Sequence, residues 1–129
     1  MTSEQIVKAK NDLFDKASEM ARADGKEGRF NLGEVWPYYT DEMKTKYEEL
    51  WCRDMIISCV CYSTEYNFYD EKQKKFGEYG LRYAEKLGDK RALEIFYDQK
   101  EFMKNHATIH TAVGTDCEGV SYNSITWDI

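Results

Sequence analysis

Four cysteines and two histidines are the side chains in this 129-residue sequence best suited to ligate a metal or attack a substrate. Cys52 and Cys59 stand seven residues apart, so on a helix they share a face, while Cys61 points elsewhere. His106 and His110 are four apart, but a change from helix to extended chain between them breaks a shared face. Zinc needs four ligands brought to one point, usually from short Cys-x-x-Cys or His-x-x-x-His pairs on a turn or helix. The cysteines lack that spacing, so no metal and no cofactor is expected. Cys59 and Cys61 read instead as small buried apolar residues, the ordinary role of a free cysteine. A nucleophilic pair could be drawn between Cys117 and either histidine. However, Cys117 lies between Asp116 and Glu118, and negative neighbours oppose the thiolate that attack requires. A metal- or ligand-binding bundle, or a small enzyme, built on His106, His110 and Cys117 is the alternative reading.

Other chemistries find less. The paired acids Asp41-Glu42, Glu48-Glu49 and Asp70-Glu71 fall at helix starts or on solvated faces. No Glu-x-x-His accompanies them, so a di-iron bundle lacks its ligands. Asp116-x-Glu118-Gly119 is too short for a calcium loop. Gly25-Lys26-Glu27-Gly28 lacks the Gly-Lys-Ser/Thr ending of a phosphate cradle, and Gly77-x-x-Gly80 does not follow a strand. No catalytic residue is expected.

What remains is surface. Aromatic and acidic residues interleave along 36–49 and again along 62–71. Trp36, Tyr38, Tyr39, Asp41, Glu42, Glu48, Glu49, Tyr66, Tyr69, Asp70 and Glu71 are the expected partner-binding residues. Trp and Tyr are rich in interface contacts, and the acids suit a protein partner with a basic surface. The sharpest form of this reading is an inhibitor of a nucleic-acid-handling complex, of the phage anti-defence type, whose acids stand in for phosphate.

Composition supports a folded interaction module. Aromatics make up 15% of the chain, and there is one Pro. Disordered chains are poor in aromatics, and this length can bury a core without a staple. Net charge is −6; residues 1–64 hold twelve acids and nine bases, and residues 105–129 three acids and no base. That balance opposes direct nucleic-acid binding and attraction to an anionic membrane. Residues 1–11 include Glu4, Lys8 and Lys10 and hold no apolar run, so no secretory leader is expected. The charge-free run Met55–Tyr62 is too short to span a bilayer. A cytoplasmic protein with reduced thiols is expected.

Positioning these residues calls for a mainly α fold, one domain over 1–129. About four helices lie within 1–106, followed by a C-terminal β-hairpin over 107–129. Ile6, Ala9, Leu13, Ala17 and Ala21 recur at helical spacing, which predicts a helix over 3–22. Thr2 and Gln5 form a capping box, and Gly25 ends the helix. Glu4/Lys8 and Asp12/Lys16 are the expected charge pairs. Residues 23–40 read as a glycine-rich loop whose aromatics lie over the core as a lid. Thr40 starts a second helix, running to about Ser63 and central because its second half is apolar nearly all round. Asp70 is expected to cap a third helix over 71–87, and Gly88 separates it from a fourth over 89–105. Tyr83–Ile95 resembles one tetratricopeptide-type helix pair, but no second copy follows, which argues against a solenoid. Thr108–Val113 and Val120–Trp127 flank a turn and read as the hairpin. A lone hairpin is marginal in water, so it must pack on the helices or pair with a second chain, as in a homodimer.

Overall fold

The computed structural model describes residues 1–62 and 68–128, and the fold is mainly helical, as the periodicity predicts. Tyr66 and the rest of 63–67 lie outside the described residues, as do the side chains of Cys59, Cys61 and His110.

Helix α1 spans Ser3–Ala23. Its start carries the full capping box: Gln5 N–H donates to Thr2 Oγ1 at 3.1 Å, and Thr2 N–H donates to Gln5 Oε1 at 2.9 Å. Its end is a Schellman turn. Lys26 N–H reaches the Ala21 carbonyl at 3.1 Å and Gly25 N–H reaches Arg22 at 3.0 Å, with Gly25 at φ +83°. On its surface Lys8 pairs with Asp12 at 2.8 Å, rather than with Glu4 as the spacing suggested.

The expected loop contains structure of its own. Asn31 caps a one-turn helix, α2 (Leu32–Val35), through a second capping box with Glu34. A 3₁₀ turn, Trp36–Tyr38, follows with Pro37 inside it, where a missing N–H costs nothing. Val35 and Tyr39 are buried with Ala17, Ala21 and Met43, and Phe30, Trp36, Tyr38 and Tyr47 pack against them. The loop therefore closes over the end of α1 as a lid.

Helix α3 runs Asp41–Tyr62, capped by Thr40 Oγ1, which accepts from Met43 N–H at 3.2 Å. It is the centre of the fold: α1, α4 and α5 pack on it, and strand β4 runs against it. Leu50, Cys52, Ile56 and Ile57 enter the main core with Ile6, Phe68, Tyr83, Ile95, Phe96 and Met103. Each large aliphatic side chain buried there contributes roughly 1.5–3 kcal/mol.

Asp70 does not begin a helix. Strands β1 (Tyr69–Asp70) and β2 (Lys75–Phe76) form a small antiparallel hairpin, pairing Tyr69 with Phe76 and Asp70 with Lys75. Asp70 Oδ1 accepts from Lys72 and Gln73 N–H, at 3.0 and 3.4 Å, and so caps the hairpin's turn. Lys74 takes the left-handed position in that turn at φ +49°. Helix α4 starts only at Glu78 and ends at Leu87. Helix α5 spans Asp89–His106, directly after Gly88 at φ +82°. Its buried stripe is Ala92, Ile95, Phe96, Gln99 and Met103.

Strands β3 (Thr108–Thr115) and β4 (Ser121–Asp128) form the C-terminal hairpin in continuous register, from Thr108 opposite Asp128 to Thr115 opposite Ser121. Gly119, at φ +82°, closes its turn as a bulge residue. Among the described residues no helix is long and apolar enough to cross a membrane.

Candidate functional site

The aromatic half of the expected surface divides between core and rim. Tyr39 is only 4% exposed, and its hydroxyl is buried without a hydrogen-bond partner. Burial, and then the neighbouring Tyr47, push its pKa up. Trp36 is half-buried, its ring 4.7 Å from that of Tyr39 and 5.5 Å from that of Tyr47, with Lys44 Nζ 5.6 Å above it. Tyr38 is half-buried, with Lys26 Nζ 5.8 Å above its ring, and donates its hydroxyl to Asp24 Oδ2 at 2.5 Å. That hydrogen bond to a carboxylate raises the Tyr38 pKa. Tyr69 is half-buried, its ring 5.5 Å from Phe96 and 5.7 Å from Phe76.

The acids divide more sharply. Glu48 accepts from Lys86 Nζ at 2.5 Å and Glu49 from Arg91 Nε at 2.7 Å. The Arg91 guanidinium is held charged by Glu49 first and by Glu94, 3.3 Å away, second. Glu71 accepts from Lys100 at 2.5 Å, and Asp70 is occupied by the turn it caps. Of the expected partner-binding acids, only Asp41 and Glu42, in the first turn of α3, stand exposed with no side-chain ion pair among the described residues. The structure therefore groups Trp36, Tyr38, Asp41 and Glu42 at one corner, where the loop enters α3. It turns Glu48 and Glu49 inward onto α4 and α5, while Glu71 stays exposed and pairs with Lys100 at the surface. Beside that corner an open groove of about 590 Å³ runs between α1 and α3, lined by Leu13, Lys16, Thr40, Glu42, Met43, Thr45, Lys46 and Glu49. Its charges are of both signs.

The sequence did not reveal which bases neutralise these acids. Lys86, Arg91 and Lys100 lie 38, 42 and 29 residues from their partners. Gln99 was also missed. It falls on the core stripe of α5 between Phe96 and Met103, and that periodicity was the available signal.

Two residues of the histidine–cysteine alternative, His106 and Cys117, lie at opposite ends of β3. The His106 ring stacks on Phe102 at 4.2 Å, and its Nδ1 lies 2.9 Å from the Phe102 carbonyl oxygen, which places the proton on Nδ1. His110 belongs to β3, opposite Thr126, and Cys117 lies exposed in the turn at the far end of the hairpin. The eight residues of β3 stand between His106 and Cys117, a span of roughly 26 Å at the usual strand rise. Cys52 is buried, and burial and then Glu48 and Glu49 push its thiol up to about 12, which keeps it protonated. Among the described residues no group of three or more His, Cys, Asp or Glu side chains is placed to hold a metal ion. No protein-family model, curated protein or solved structure matches the chain.

Proposed function

We propose that this chain is a non-enzymatic interaction module that binds a basic surface on a partner protein through the corner where the loop enters α3. The observation that carries the reading is the juxtaposition of half-exposed Trp36 and Tyr38 with exposed Asp41 and Glu42. Trp and Tyr are enriched among interface hot spots, and exposed acids at the rim steer a basic partner. The lid packing behind them, Val35 and Tyr39 against α1, holds the rings in place before binding and lowers the ordering cost. The N-terminus of α3 adds its positive dipole end, so Asp41 and Glu42 are also helix-stabilising. A broad phosphate-mimicking face is the less favoured form of this reading, because Glu48, Glu49 and Glu71 are already neutralised within the chain.

The test is affinity capture from a lysate of the natural source, at low and at high salt, with wild type, Trp36→Ala and the double variant Asp41→Asn/Glu42→Gln. The expected result is a basic partner captured by wild type, weakened by salt and lost in both variants. Capture that is indifferent to salt and to both variants would remove the reading.

A further inference from the structure

Among the described residues the β3 edge of the C-terminal hairpin is a second surface left unpaired. It has the symmetry to pair with itself. Among the described residues β3 has one strand neighbour, β4, on one side, and no backbone hydrogen bond runs from Ile109–Thr115 to any segment beyond the hairpin. Asp116 N–H donates to the Val120 carbonyl at 3.0 Å and sets the phase of the ladder. Antiparallel pairs alternate, so Gly114, Ala112 and His110 turn their backbone groups toward β4, and Ile109, Thr111, Val113 and Thr115 turn theirs outward. This edge carries none of the usual protections: Thr108–Thr115 has no Lys, no Pro and no charge. Its turn end is open to solvent, with Val113 76% and Val120 58% exposed.

We infer that β3 pairs antiparallel with β3 of a second copy of this chain about a two-fold axis at Ala112. In that register Thr111 faces Val113 of the second copy, and Ile109 faces its Thr115. Every outward N–H and C=O of those four residues then finds a partner. Ala112 meets its own counterpart in the non-hydrogen-bonded position, where the Cα atoms approach to about 4.5 Å and a small side chain fits best. A second copy fits better than an unrelated strand because the facing residues are β-branched and uncharged, so self-pairing sets no like charges opposite each other. The product is one four-stranded sheet, β4–β3–β3–β4, in place of two two-stranded ones. This inference does not rest on the partner-binding corner, which lies on other elements.

The experiment is light scattering across a dilution series, all in a Cys117→Ser background to prevent cross-linking at the tip. The expected result is a dimer that dissociates on dilution. Val113→Pro removes an outward N–H while leaving the hairpin's own ladder intact, and Val113→Lys adds the charge that natural edges carry. Both are expected to be monomeric at every concentration with unchanged circular dichroism. Ala112→Cys is expected to form a disulfide-linked dimer on oxidation, because the approach distance suits the bond. Wild type that stays monomeric at its highest soluble concentration overturns the inference. So does a dimer that survives Val113→Lys, or Ala112→Cys that stays unlinked. If Val113→Pro fails to fold, the other two variants decide.

Discussion

The buried carboxamide of Gln99 bridges both backbone ends of Met1: its Nε2 donates to the Met1 carbonyl at 2.7 Å, and its Oε1 accepts from the Met1 amino group at 3.1 Å. Arg53 Nη1 donates to the same Oε1 at 3.3 Å while also binding Asp98 at 2.5 Å. One side chain of α5 thus joins the entry to α1 and the middle of α3. Gln99→Ala leaves these groups without their partner and is expected to cost about 1–3 kcal/mol. Urea unfolding checks this: the midpoint should fall while the slope stays constant.

Gly80 and Gly33 are both helical glycines and are expected to respond to alanine with opposite signs. A Cβ on Gly80 would overlap the Phe68 carbonyl oxygen and press on the Phe68 ring. Gly80→Ala should therefore destabilise by about 1–3 kcal/mol, even though alanine is the better helix former. At Gly33 the nearest outside atom is Asn31 Oδ1 at 3.4 Å, an ordinary contact. Gly33→Ala should stabilise by about 0.4–1 kcal/mol. Thermal melts of the two variants beside wild type give both signs directly.

Lys74 occupies a left-handed backbone conformation at φ +49° that a side chain resists. Lys74→Gly relieves that strain at the cost of a more flexible unfolded chain, with an expected net gain under about 1 kcal/mol. Lys74→Val should lose stability, since β-branching makes the same conformation costlier. The order Gly above Lys above Val, read from unfolding midpoints, is the outcome to look for.

Cys52 and Cys117 differ in access, and Cys52 has a further pH consequence. Its folded pKa of about 12 exceeds the ordinary value of 9.0, with burial the main cause. Between those values the unfolded chain loses the thiol proton and the folded chain keeps it, so stability must fall as pH rises, by up to about 1.4 kcal/mol per pH unit from this group. Tyr39, Tyr47 and Tyr83 are raised mainly by burial and act in the same direction at higher pH. Cys52→Ala should flatten the first part of the decline. Under native conditions a thiol reagent should modify exposed Cys117 and spare Cys52.

The helices were legible where one physical rule governed. Thr2 and Gln5, the Ile6–Ala21 stripe, Gly25 and Gly88 act locally, so α1 and the α4–α5 junction could be read from neighbours alone. Asp70 shows where that fails. A carboxylate accepting N–H groups two and three residues ahead serves a helix start or a hairpin turn equally well, and Glu71–Lys75 suits a helix. The choice was made by Phe68, buried with its ring 5.6 Å from Phe76, and by Gly77 N–H bonding the Phe68 carbonyl at 3.0 Å. Those contacts draw the two segments into strands before α4 can begin. The pairing of the surface acids was hidden for the same kind of reason. Glu48 and Glu49 look solvated from their neighbours, and only the arrival of α4 and α5 brings Lys86 and Arg91 onto them.

The ring sequence Trp36–Tyr47–Trp51, at 5.5 and 6.0 Å, joins the cluster under the lid to the main core, and Leu13 packs against both. The lid is therefore no independently melting flap. Its opening would strip contacts from the centre of α3, so the two regions form one cooperative unit. Fluorescence, to which Trp36 and Trp51 contribute one indole in each cluster, and circular dichroism should report a single unfolding transition of the wild type with coincident midpoints.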